Sequence, residues 1–206
     1  MATLDLQVGA SADDAHEQAG GGGVMNLTAT EVDVRNFLFW GGVRFLSVAA
    51  EGTIDVAYMQ IYPFLNDDPN LNIYGEDADD ADTFTLVNWN ITSRARTAAV
   101  AWSASNIGTA AFVNTPSLVS PVQTIVNRGG WNPNQDMAFL WERLATGLKF
   151  ISWDSDPAKA AKLHIEYTAG GGPAARRIIL IQMIGFPFLG LLVTLSVVRR
   201  RSWRGA

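Results

Sequence analysis

Residues 53–62 read TIDVAYMQIY and residues 162–167 read KLHIEY. In the first, Ile54, Val56, Tyr58 and Gln60 alternate with Thr53, Asp55, Ala57 and Met59. In the second, Leu163, Ile165 and Tyr167 alternate with Lys162, His164 and Glu166. A period of two belongs to a β-strand with one face against a core. Further runs of β-type residues lie at 24–34, 37–48, 71–74, 98–102, 137–141 and 148–153, divided by turn formers at 20–23, 66–69, 114–116, 128–133 and 154–157. One segment departs from this. Ser117–Arg128 places Leu118, Val122, Ile125 and Val126 at helical spacing before a Gly129-Gly130 stop. Many short strands, one short helix and no alternation of strands with helices predict a mainly β protein, a jelly-roll-like antiparallel β-sandwich.

The chain has 206 residues, no Cys and a net charge of −5. Without Cys there is no disulfide scaffold, thiolate metal site or Cys nucleophile. The charge is unevenly placed. Residues 1–175 hold nine basic against all 20 acidic side chains, a net of −11, whereas residues 176–206 hold six Arg and no acid. An acidic body repels a phosphate backbone, which argues against nucleic acid as a partner.

The basic end has its own logic. Ile178–Val198 reads IILIQMIGFPFLGLLVTLSVV, 21 residues without a charge. A helix of that length spans roughly 30 Å, a bilayer core. Arg176 and Arg177 precede it, and Arg199, Arg200, Arg201 and Arg204 follow. Pro187 within it is tolerated in lipid better than in water. The expectation is a β-sandwich domain over 1–168, a Gly-rich hinge over 169–175, and a single transmembrane helix with basic flanks over 176–206. The bilayer is the first partner. The Arg excess after the span predicts a cytoplasmic C-terminus, with the sandwich extracytoplasmic or on a virion exterior. The first residues show no signal-peptide pattern, so a tail-anchored arrangement facing the cytosol is the other orientation.

Several stretches together carry a resemblance. They are VGASADDA (8–15), GGVRF (41–45), GTIDVAYMQIY (52–62), DDPNLNIYGEDADDADTF (67–84), ITSRARTAAVAWSA (91–104), VQTIVNRGGW (122–131), WDSDPAK (153–159) and AAKLHIEYT (160–168). In this order the chain resembles the DNRLRE type of carbohydrate-binding-module-like β-sandwich, as found in secreted and phage structural proteins. The resemblance implies a non-catalytic jelly roll and fixes no ligand. The apolar tail departs from it.

Candidate sites follow from residue type. Asp67, Asp68, Asp77, Asp79 and Asp80 lie in one acid-rich stretch, and Ca²⁺ takes six to eight oxygens of this kind. A structural Ca²⁺ is one reading and a solvated acidic loop the other, with Asp13, Asp14, Asp154 and Asp156 as possible contributors from elsewhere. Trp89 and Trp131 sit beside turn signals and are candidate platforms for stacking a sugar ring. His16 and His164 have no third partner at a catalytic spacing, and no nucleophile elbow, P-loop or zinc-protease motif occurs, so the chain is read as no enzyme. Asn26-Leu27-Thr28 and Asn90-Ile91-Thr92 match the glycosylation tripeptide. Two functions are expected: a membrane-anchored surface module of an envelope or virion, structural or adhesive and open to polysaccharide; or an accessory subunit whose helix packs against partner helices in a membrane complex.

Overall fold

The structure is a computed structural model. It describes residues 1–35 and 38–170, all within one compact unit. Among the described residues the strands are β1 (Ala2–Gln7), β2 (Asp14–Gln18), β3 (Val24–Asn26), β4 (Glu31–Asp33), β5 (Phe39–Val48), β6 (Thr53–Ile61), β7 (Asn70–Gly75), β8 (Val100–Ser103), β9 (Val113–Asn114), β10 (Gln135–Arg143), β11 (Lys149–Ile151) and β12 (Lys162–Thr168), with one α-helix, α1 (Val119–Val126). A four-stranded sheet runs β1-β12-β6-β9, a six-stranded sheet β3-β2-β5-β10-β7-β8, and β4 pairs with β11. Every pairing is antiparallel. This is the β-sandwich character the alternation predicts.

The core lies between the two large sheets. Leu163, Ile165, Met59 and Ile61 from one side meet Phe45, Phe139, Trp141, Leu71 and Ile73 from the other, all within 1% of full burial. Phe45 and Phe139 pack edge-on at 6.2 Å, and Trp141 lies 5.3 Å from Phe150. Each such side chain contributes roughly 1.5–3 kcal/mol by leaving water.

The six-stranded sheet is covered on its outer face as well. In β10, Met137, Phe139 and Trp141 face the inter-sheet core, while Ala138 and Leu140 face outward. Residues 76–97 fold over that face, setting Ala81, Phe84 and Ile91 against Ala15, Met25, Ala138 and Leu140. A strand buried on both sides reads as a continuous apolar run, which is why AFLW shows no alternation.

Three sequence readings change. Asp55 is an extra residue in β6 opposite the Glu166–Tyr167 step of β12. This bulge turns Ile54 inward with Ala57, Met59 and Ile61, and leaves Val56, Tyr58 and Gln60 on the other face. The 24–34 run divides into β3 and β4, which belong to different sheets. The first residues form β1 and β2, which the polar DLQ and DAHEQ text conceals.

The helix falls inside Ser117–Arg128 as expected. Gln123 ties it to the β5–β6 turn, donating to Gly52 O (2.9 Å) and accepting from Ile54 N (2.8 Å). Residues 168–170 lie at this end, where Thr168 pairs with Thr53 and Gly170 packs on Gly52. The start of β5, ten residues away and so roughly 30 Å, marks the far end. No helix among the described residues is long and apolar enough to cross a membrane. The anchor residues read from the sequence, Ile178, Pro187, Val198, Arg199, Arg200 and Arg201, lie outside the described residues.

Candidate functional site

The outer face of the four-stranded sheet is laid with polar and aromatic side chains in register. One row is Asp5, His164 and Tyr58; the next is Gln7, Lys162, Gln60 and Asn114. His164 stacks on Tyr58 at 4.8 Å, its Nδ1 meets Asp5 Oδ1 at 2.7 Å, and its Nε2 lies 3.4 Å from Glu166 Oε1. The Asp5 hydrogen bond, reinforced by Glu166, raises the His164 pKa. Gln60 Nε2 donates to Asn114 Oδ1 at 2.9 Å, and Gln7 Nε2 donates to the Pro157 and Ala160 carbonyls.

A second aromatic pair closes the band. Tyr62 and Phe112 meet edge-on at 5.4 Å, and the Lys159 and Lys162 ammonium groups lie over their rings at 5.2 and 4.1 Å. Tyr58 and Tyr62 are four residues apart, so the two aromatic pairs are separated by about 13 Å along the sheet. Between them, Asp5, Leu6, Gln7, Gln60, Lys162, Leu163 and His164 line a shallow depression of about 240 Å³. It combines hydrogen-bond donors and acceptors, side chains of both charges and the His164 ring. No protein-family model matches the chain, and no curated protein matches it.

The acidic stretch takes a different form from a single cation cage. Asp77 and Asp79 both bind the Arg128 guanidinium, the latter at 2.6 Å. Asp80 accepts from Asp136 N (2.8 Å). Asp67 is buried, accepts from Lys149 N and pairs with Arg35 at 3.3 Å, while Asp68 accepts from Asn106 N. Asp67 and Asp68 thus belong to a separate polar depression with Arg35, Asn66 and Arg143. Among the described residues, no group of three or more His, Asp or Glu side chains is arranged to hold a metal ion.

The same stretch is pegged to the sheet beneath it. Arg94 pairs with Glu76 at 2.7 Å, donates to the Asp82, Thr83 and Asn90 carbonyls, and lies 4.4 Å over the Phe84 ring. Fully buried Glu17 accepts from Ile91 N, Thr92 N and Thr92 Oγ1. Arg44 joins Asp13 (2.7 Å), Asp136 and the Ala81 carbonyl. These acids hold a cover in place, a role that SADD and DADDADT do not announce.

The two tryptophans part company. Trp131 is buried at 8% exposure, with Nε1 donating to Ala50 O at 3.0 Å. Its indole is core, so no ring face is offered there. Trp89 is 45% exposed at the far end of the sandwich, beside Gly23. The polar-aromatic face of β1, β12, β6 and β9 was not singled out in the sequence. Its one signal was the set of polar positions alternating with the core residues in KLHIEY.

Proposed function

We propose that this chain is a non-catalytic, membrane-anchored recognition module. Its sandwich is a jelly roll that binds polyhydroxylated ligands, a polysaccharide or glycan, on the outer face of the four-stranded sheet. The observation that carries this is the asymmetry of the two outer faces. The 76–97 segment, pegged by Glu17, Arg44 and Arg94, covers one face, while the other carries Tyr58, His164, Tyr62 and Phe112 interleaved with Gln60, Lys162, Asp5 and Asn114. Sugar rings offer apolar faces for stacking and hydroxyls that both donate and accept, which matches this set of groups.

The strand order supports the jelly-roll reading. Successive strands change sheet at nearly every step, giving β1-β12-β6-β9 against β5-β10-β7-β8, with β2 and β3 added outside β5. The resemblance to carbohydrate-binding-module-like domains points the same way. Anchorage rests on the uncharged 178–198 stretch.

The test is retention of the full chain, in detergent, on a panel of immobilised neutral and anionic polysaccharides. Wild type is expected to be retained by at least one. Tyr58→Ala and Phe112→Ala are each expected to weaken that binding about tenfold, the size of one lost ring contact. Absence of retention on every polysaccharide, or binding indifferent to both substitutions, would overturn the proposal.

A further inference from the structure

In a body with nine basic and 20 acidic side chains, a cation is expected to stand against a carboxylate. Arg35, Arg44, Arg94, Arg128, Lys149 and Lys159 each do so. Lys162 does not. Among the described residues its ammonium has no carboxylate at ion-pair distance and no hydrogen bond, and it lies 4.1 Å over the Phe112 ring. It is half-buried in the middle of the open face and lines the depression there with Gln7, Gln60 and His164.

The register keeps acids away from it. Across the sheet Lys162 faces Gln7 on β1 and Gln60 on β6, both uncharged. The acids of this face are otherwise engaged. Asp5 and Glu166 meet the two nitrogens of His164, Asp55 accepts from Thr168 Oγ1 at 2.8 Å, and Asp156 pairs with Lys159 at 2.9 Å. The His164 ring is thereby occupied on both sides, which leaves Lys162 as the cation open to a ligand in the depression. Its neighbours complete a sugar-binding set. Gln7 and Gln60 use their Nε2 groups within the protein, so their amide oxygens remain to accept from hydroxyls. The Lys162 row lies one same-face step, roughly 7 Å, from the Tyr58–His164 pair. A sugar ring stacked on that pair reaches Lys162 with an anionic substituent at its edge. The net charge of −11 over residues 1–175 repels such a ligand at long range, but salt screens that field beyond roughly 8 Å, while a half-buried contact is screened far less.

We propose that the ligand of this face is an acidic polysaccharide, with one sugar-borne anion, a uronate carboxylate or a sulfate ester, seated on Lys162. The proposal rests on the reading of the four-stranded sheet as a glycan-binding face and names the class of glycan. It is tested with the full chain in detergent at physiological salt, against matched pairs of polymers: polyuronates and their carboxyl-reduced forms, and sulfated galactans and their desulfated forms. Wild type is expected to bind the charged member of at least one pair about three- to tenfold more tightly than its neutral counterpart. The pair that shows the difference tells carboxylate from sulfate. Lys162→Met, which keeps a stem on Phe112, is expected to abolish the preference and leave binding of the neutral form unchanged, and Lys162→Arg to retain it. Arg96→Met makes the same change in net charge at a cation seated over Trp40 and Tyr74, on the other sheet, and is expected to behave as wild type. Equal binding of both members of every pair, weakened by Tyr58→Ala, overturns the anionic class and leaves the binding face standing. A preference that survives Lys162→Met, or that Arg96→Met removes as well, overturns the seat at Lys162. No binding of any polymer by wild type overturns both readings.

Discussion

Asp14 gives the fold a stability that depends on pH in an unusual direction. It is 2% exposed at the start of β2 and accepts a hydrogen bond from Trp153 N at 2.7 Å. Burial pushes its pKa from 3.8 to about 7, against the Trp153 bond and with help from Asp154 and Asp13. Between those two values the folded protein holds a proton that the unfolded chain has released, so stability falls as pH rises. A difference of about three units at 1.36 kcal/mol each comes to about 4 kcal/mol, fully present below pH 3.8 and lost above pH 7. Asp14→Asn keeps an oxygen for Trp153 N and removes the ionisation. Denaturant unfolding of the full chain in detergent across this range should show the variant equal to wild type near pH 4. The variant should gain steadily until it is more stable by about 4 kcal/mol at pH 8. A constant difference between the two curves, or a variant less stable at pH 8, would refute the reasoning.

Three further outcomes are expected from the same architecture. Arg94→Met strands buried Glu76, whose pKa burial already raises against the pull of Arg94. Denaturant unfolding should show a loss of about 3–5 kcal/mol at neutral pH, shrinking as Glu76 takes up a proton in acid. Gly23→Ala combines φ +72° with a Cβ in the space of the Trp89 ring. It should cost about 1–2 kcal/mol and red-shift the fluorescence contributed by Trp89, read against a Trp89→Phe background. Met59→Ala opens a void in the fully buried inter-sheet core, and the same unfolding curve should move by about 2–5 kcal/mol.

The sandwich was legible where one face of a strand is wet. KLHIEY kept its alternation through to the structure, and Ser117–Arg128 held the helix. TIDVAYMQIY misled at its start, because a bulge at Asp55 shifts the register and nothing in the residue types marks it. DAHEQ concealed a strand, since two of its three buried members, Asp14 and Glu17, are polar groups satisfied by distant backbone. The acidic run from Asp67 to Asp82 looked like one oxygen cluster, yet its carboxylates disperse to Arg35, Arg128 and backbone amides once the chain folds. Trp89 and Trp131 read alike beside their turns; only packing against Gly23 or Ala50 separates them. The open face escaped notice because its parts come from β1, β6, β9 and β12, at opposite ends of the sequence.

The two histidines allow that face to be tested directly. His164 stands in it against Tyr58, and His16 lies stacked on Phe39 at 5.6 Å in the other sheet. Carbethoxylation of the full chain, read by mass spectrometry with and without the polysaccharide that retains it, should slow at His164 and stay unchanged at His16. Protection at His16 alone, or at neither histidine while the polysaccharide is bound, would contradict the assignment of the four-stranded sheet as the binding face.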